Sequence, residues 1–305
     1  SSSGSGAAAA ASLAAGTGGT ETNGAISCPS TVNGGVGFKP TVGLVSQDYI
    51  IPISSSQDTA GPMTKSVRGA AMMLSAMATG DTRTDYASAL DDASLQGARI
   101  GVLRGAEGSN ALIRERFHAA LADLEAAGAI LVDIEDVDMP SGFWGKAFDV
   151  LKYEFKATLN AYLATTPDAV TTRSLADLIA FNQQNAEAEL ALFNQDIFEQ
   201  SNAMDGLESD GYRDAVALVQ SATREDGIDR LLTEHDVIAL VAPTGPLAPR
   251  VDPVNGDVWP DWPGAGFMAA IAGYPHLTVP MGTARGLPVG ISFMGGKDQD
   301  ATILS

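Results

Sequence analysis

Two glycine-rich stretches of small polar residues lie near the start of the chain, "SSSGSG" at 1–6 and "GGTETNGAISCP" at 18–29. Glycines at this density let neighbouring backbone N–H groups face one point without side-chain obstruction. Such a nest can hold a phosphate or the oxyanion of an acyl-transfer transition state. A phosphate loop requires GxxxxGK[ST], and no lysine follows these glycines, which argues against nucleotide binding. Acyl transfer needs a nucleophile, yet the centre of the second stretch is Ala25, which carries only a methyl group. Taken alone, glycine-rich loops are weak evidence, and purely structural turns are their default reading.

Other reactive residue types are sparse. The single cysteine, Cys28, excludes an internal disulfide and a thiolate metal cluster. The three histidines, His118, His235 and His276, form no HExxH or comparable spacing, so neither a metal nor another cofactor is expected. His118, in "NALIRERFHAALADLEAAGA", and His276, in "YPHLTVP", read as structural residues. Eighteen Lys+Arg against thirty-seven Asp+Glu give a formal charge of -19, which argues against nucleic-acid or anionic-membrane partners and suits solubility. No apolar run reaches the roughly 18 to 20 residues that span a bilayer. The chain opens without Met or a signal-peptide pattern and closes on "DQDATILS". It therefore reads as a piece of a longer polypeptide, whose localisation stays unknown.

The elements that would position the loops belong to a globular chain: 305 residues, 45% hydrophobic, suffice for a large core. "GAAAAASLAAG" reads as a closely packed helix stopped at Gly16, and "SVRGAAMMLSAMATG" as a helix capped by Ser66 and closed by Gly80. "VGFKPTVGLV" and "YIIPIS" suit buried strands or tight crossings. "DTRTDYASALDDASLQG" reads as a polar connection. "ARIGVLRG", the following amphipathic helix and "AILVDIEDV" form a right-handed βαβ unit, which places the centre of the chain in the α/β class. Residues 143–234 are mostly helical. "DVIALVAPTGP" is a strand, "PVNGDVWPDWPGAG" a loop, "FMAAIAGYP" a short helix, and "HLTVPMG" and "PVGISFMGG" the last strands.

In their order, "SSSGSG", "GTETNGAISCP", "NGGVGFKPTVGLVS" and "PISSSQDTAGPM" resemble the motif chain of the amidase signature family. The likeness continues through "LKYEF", "SLADLIAFNQ", "ALVAPT", "AGYPHLTVPMG" and "LPVGISFMG", and within the family it is nearest to bacterial peptide amidases, which hydrolyse C-terminal peptide amides. The resemblance implies an α/β amidase-signature fold with a mixed, largely parallel sheet covered by helices on both faces. Residues 1–305 would be a fragment of one such domain, lacking an N-terminal part and the C-terminal end. Residues 1–63 would form its signature core and residues 143–234 a helical substrate-groove region.

The resemblance also implies a Ser-Ser-Lys triad. Ser1 matches the bridging serine, which in the family follows an unusual cis peptide bond, and Ala25 stands at the nucleophile position, with backbone N–H groups of Thr22, Asn23, Gly24 and Ala25 forming the oxyanion hole. The family's lysine lies upstream of Ser1, and Lys39 belongs instead to a structural block. Glu21 and Asn23 depart mildly from the family's loop and leave the backbone donors in place. Cys28 occupies a position where relatives that handle carboxylates carry an arginine, which favours a neutral amide end, although a cysteine packed under the loop is the simpler explanation and the preferred one. Tyr153, Phe155 and Phe198 would border the substrate groove, or belong to the core. The expected activity is hydrolysis of peptide amides or small amides, disabled by Ala25. The alternatives are an aryl or aliphatic amidase, an amidotransferase component, or a natively inactive peptide-binding relative. Because most of the signature is kept, an engineered Ser-to-Ala change is preferred over native loss.

Overall fold

A computed structural model of the chain describes residues 1–80, 84–135, 137–256, 258 and 261–305. The polar connection and the Pro/Gly/Trp-rich loop read from the sequence fall partly outside these residues. The first elements are α1 (Ser3–Ala10), β1 (Thr17–Glu21), α2 (Ser27–Val32), β2 (Val36–Lys39), β3 (Thr59–Thr64) and α3 (Val67–Met77). The expected βαβ unit follows as β4 (Arg99–Leu103), α4 (Ala111–Ala126) and β5 (Ile130–Ile134). The helical region holds α5 (Phe143–Ala164), α6 (Leu175–Gln184), α7 (Ala186–Glu189), α8 (Asp196–Asn202), α9 (Asp210–Thr223) and α10 (Asp229–Glu234). The chain then runs through β6 (Ala239–Pro243), α11 (Gly266–Ala272), β7 (His276–Ala284), β8 (Leu287–Met294) and α12 (Asp300–Leu304).

All eight strands join one sheet in the order β1-β3-β2-β7-β8-β6-β4-β5. The expectation of a largely parallel sheet is corrected: only β4 pairs in parallel, with β5 and β6, and every other pairing is antiparallel. Helical crossovers generate parallel neighbours, and the clear βαβ pattern belongs to one edge of the sheet. Elsewhere the chain turns back directly. Arg285 (φ 52°) and Gly286 (φ 80°) form the two-residue turn that joins β7 to β8, with the left-handed backbone that matches strand twist.

Helices do cover both faces. On one face Ile100, Val102, Val241 and Ile291 pack with Phe117 and Leu121 of α4, and Phe38 and Leu277 pack with Ala70, Ala71 and Leu74 of α3. On the other, Leu103, Leu240, Ala242 and Met294 pack with Leu231 of α10 and Met268, Ala269 and Ala272 of α11. This alternation is the period-two pattern of strands buried on both sides. Helix α2 lies on the second face against β2, β7 and β8. Among the described residues, no helix is long and apolar enough to cross a membrane.

Two local expectations change, and two strands carry no strand-like pattern. Helix α1 ends at Ala10, before the Gly16 stop signal. "YIIPIS" forms no strand, and Tyr49, Ile51 and Ile53 are exposed. Strands β1 and β3, "TGGTE" and "TAGPMT", carry none of the usual β-branched alternation. A Cβ on Gly61 at the middle of β3 would run into the Phe38 carbonyl, so close backbone approach explains the glycine.

Candidate active site

The loop between β1 and α2 is held from three sides. Glu21, at the end of β1 and fully buried, accepts the N–H groups of Ile26 and Ser27 on one oxygen, each at 2.9 Å, and so anchors the start of α2. The Cys28 N–H donates to the Gly24 carbonyl at 2.8 Å, and Gly24 takes φ +85°, a backbone turn that favours glycine. From the opposite side, Thr22 Oγ1 donates to Asp58 at 2.6 Å and Gln57 Nε2 donates to the Thr22 carbonyl at 3.1 Å. Asp58 in turn accepts the N–H groups of Ile53 at 2.7 Å and Ser54 at 2.9 Å. Burial raises the Asp58 carboxyl above its usual range, against the pull of these hydrogen bonds.

The result is a fastened turn whose apex is left open. Among the described residues, no acceptor takes the N–H groups of Asn23, Gly24 or Ala25. Ala25 is half-buried. The first residues of the chain reach this apex: the Ser2 N–H donates to the Ala25 carbonyl at 3.0 Å, and Ser2 Oγ accepts the Thr20 N–H at 3.0 Å. Ser1 is exposed and its Oγ accepts from Ser3 Oγ at 3.1 Å. The structure therefore brings the segment of Ser1 to the loop of Ala25, through backbone contacts of Ser2.

Behind Asp58 sits Glu154 of α5, a fully buried carboxylate. One oxygen accepts Ser54 Oγ (2.5 Å), Ser56 N–H (3.0 Å) and Ser56 Oγ (2.9 Å); the other accepts the Tyr212 hydroxyl (2.7 Å). Burial, then Glu154, holds the Tyr212 hydroxyl well above its usual value. Sequence reading picks out the flanking aromatics of "LKYEF" and misses Glu154. The available signal is an acid on the apolar stripe of a long amphipathic helix. Lys39, expected to be structural, is fully buried, with Nζ donating to the Pro40 carbonyl at 3.1 Å. Burial lowers its amine to about 8, opposed by Glu21 and Asp300.

Two cavities flank this framework. One of about 410 Å³ adjoins the loop at Asn23, Gly24, Ser27 and Cys28 and is closed by Phe267 and His276. Cys28 thus faces a cavity beside the apex; burial and then Glu21 push its thiol up. The other, about 550 Å³, is largely apolar and runs from Ile53 to Phe148, Phe155, Phe193 and Phe198. The Phe155 and Phe198 rings lie 5.4 Å apart, and both also pack on the core formed by Leu159, Leu163 and Leu175. Tyr153 lines neither cavity and packs edge-on against Tyr212 at 5.7 Å.

Comparisons with known proteins match the chain's family and fold. The amidase family model matches residues 1–304. The structure superposes on the native peptide amidase of Stenotrophomonas maltophilia with TM-score 0.89 and 42% identity, covering 100% of this chain and 63% of that one. An amidase family protein from Bacillus anthracis gives TM-score 0.84 and 29% identity, over 100% of this chain and 58% of that one. A glutamyl-tRNA(Gln) amidotransferase component from Halorhodospira halophila is 32% identical over 100% of this chain and 65% of its own length. The chain thus spans less than two thirds of the length of these proteins.

Proposed function

Because this chain belongs to the amidase family, we propose that it is the larger part of an enzyme that hydrolyses C-terminal peptide amides, held inactive by Ala25. The observation that carries this reading is the fastened loop with three N–H groups lacking acceptors around Ala25, joined by Ser2 to the segment of Ser1. An oxyanion formed opposite Asn23, Gly24 and Ala25 would meet preset donors, which lowers the barrier to acyl transfer without reorganisation. A hydroxyl on residue 25 would attack the carboxamide carbon, Ser1 would relay its proton, and a lysine upstream of Ser1 would return it to the departing ammonia. Ala25 has no lone pair to begin this sequence. The similarity to a peptide amidase, and a cavity beside the loop with Cys28 rather than an arginine on its wall, support a neutral amide end. Phe155 and Phe198, on the apolar cavity, would receive substrate side chains.

The test is Ala25→Ser in the full-length protein, with ammonia release measured from N-acetylated peptide amides and from small aryl amides. A gain on the order of 10⁶ in kcat with peptide amides is expected. No activity above the Ala25 form rejects the reading, and preference for aryl amides replaces the substrate class.

A further inference from the structure

The cavity beside the loop ends on an imidazole that the fold holds by one of its two nitrogens. His276, at the start of β7, is 1% exposed, and among the described residues its Nδ1 has no hydrogen-bond partner. Its Nε2 lies 2.6 Å from Ser292 Oγ, whose own proton goes to Thr244 Oγ1 at 2.9 Å. Thr244 Oγ1 continues the chain to Thr278 Oγ1 at 2.6 Å. With the serine proton committed to Thr244, Ser292 Oγ accepts from the ring, so Nε2 carries the hydrogen and Nδ1 presents a bare lone pair. Burial, reinforced by Lys39 and opposed by Glu21, holds the ring neutral by lowering its pKa well below 6.5.

The unpartnered side of the ring is the one that faces Gly266. A Cβ on Gly266, the first residue of α11, would come within 2.8 Å of His276 Cε1 and 3.3 Å of Nδ1. His276 and Gly266 both line the cavity that Gly264, Gly24 and Cys28 share, so a residue without a side chain is what stands against the Cε1–Nδ1 edge there. A buried acceptor left unpaired costs about 1–3 kcal/mol, so a ligand that supplies a donor is favoured over one that does not. The geometry points to His276 as a specificity residue that accepts an amide N–H of the bound substrate at Nδ1. This rests on the amide-hydrolase reading above and deepens it: the ligand must bring a hydrogen-bond donor, which an ester lacks at its leaving group. The donor can be the terminal carboxamide or the peptide N–H that precedes it.

The experiment uses the full-length Ala25 protein with ¹⁵N-labelled histidine, His276 being assigned by loss of its signals in His276→Phe. Three probes are titrated: N-acetyl-L-phenylalaninamide, the corresponding methyl ester, and the amide methylated on its phenylalanine nitrogen. Binding is followed by calorimetry. The amide is expected to move the bare-nitrogen resonance upfield and to bind about tenfold more tightly than the probe that lacks the recognised N–H. A shift lost only with the ester assigns the terminal carboxamide, and one lost only with the methylated probe assigns the preceding N–H. Gly266→Ala, which keeps the imidazole and crowds its Nδ1 edge, is expected to abolish the same discrimination. Probes that bind without moving the resonance overturn the proposal and leave the amidase reading standing. Failure of all three to bind also overturns it, while ammonia release by Ala25→Ser decides separately whether that reading survives.

Discussion

The loop framework and the helical groove solve opposite problems. Around Ala25, Glu21, Asp58 and Glu154 are charged or polar groups taken out of water, each held by two to four hydrogen bonds. Across the 550 Å³ cavity the surface is apolar and partly open, with Phe193 78% and Ile197 51% exposed. A satisfied buried polar network is costly to disturb because each lost partner strands another group, whereas an exposed apolar wall has little stability to lose. Geometry is thus fixed where atoms would react, and left adaptable where side chains would be received.

The sharpest way to break this contrast is Glu154→Ala, which strands the donors of Ser54, Ser56 and Tyr212. A loss of about 3–5 kcal/mol in denaturant unfolding is expected, and a loss below about 1 kcal/mol would show that the carboxylate is not a keystone. Next is Lys39→Met. The Lys39 amine titrates near 8 in the fold and at 10.5 when unfolded, so between these values the unfolded chain binds more protons. The parent therefore gains stability relative to Lys39→Met as pH rises from 8 to 10.5, by about 3 kcal/mol in all, and unfolding curves of both proteins across that window should converge or cross accordingly. Parallel curves would remove the buried amine from the account.

Glu21→Gln keeps an acceptor for Ile26 and Ser27 but removes the charge that stabilises Lys39. A smaller loss, about 1–2 kcal/mol, is expected from the same measurement. At the far end of the scale, Phe193→Ala should change stability by under about 0.5 kcal/mol while weakening binding of a peptide amide with apolar side chains about tenfold. Equal effects on stability and binding would erase the distinction between the two regions.

Parts of both regions are legible in the residues. Ser66 caps α3 and accepts the Gly69 N–H as its position predicts, and Asn110 does the same for α4. The β4-α4-β5 unit and the β7–β8 pair are periodic enough to be read directly. Strands β1 and β3 are not: Gly61 of "TAGPMT" sits against the Phe38 carbonyl, and Gly19 of "TGGTE" leaves room for the side chains of Met63 and Ser2, so neither strand carries a side-chain alternation to read. Glu154 is overshadowed by its aromatic neighbours, since its partners Ser54, Ser56 and Tyr212 are about a hundred or sixty residues away in sequence. "YIIPIS" has strand-like composition, but its backbone is recruited by Asp58: the N–H groups of Ile53 and Ser54 both point to that carboxylate.

The sequence by itself determined the family likeness, the loop's glycines, the methyl side chain of residue 25, and those elements whose signals are local: caps and helical periodicity. Only the tertiary structure decided the mainly antiparallel sheet, the burial of Glu154 and Lys39, and the unpartnered Nδ1 of His276. The physical reason is the range of the forces. Propensity and capping act within a few residues, whereas desolvation and hydrogen-bond satisfaction are settled by whichever distant groups the fold brings into contact.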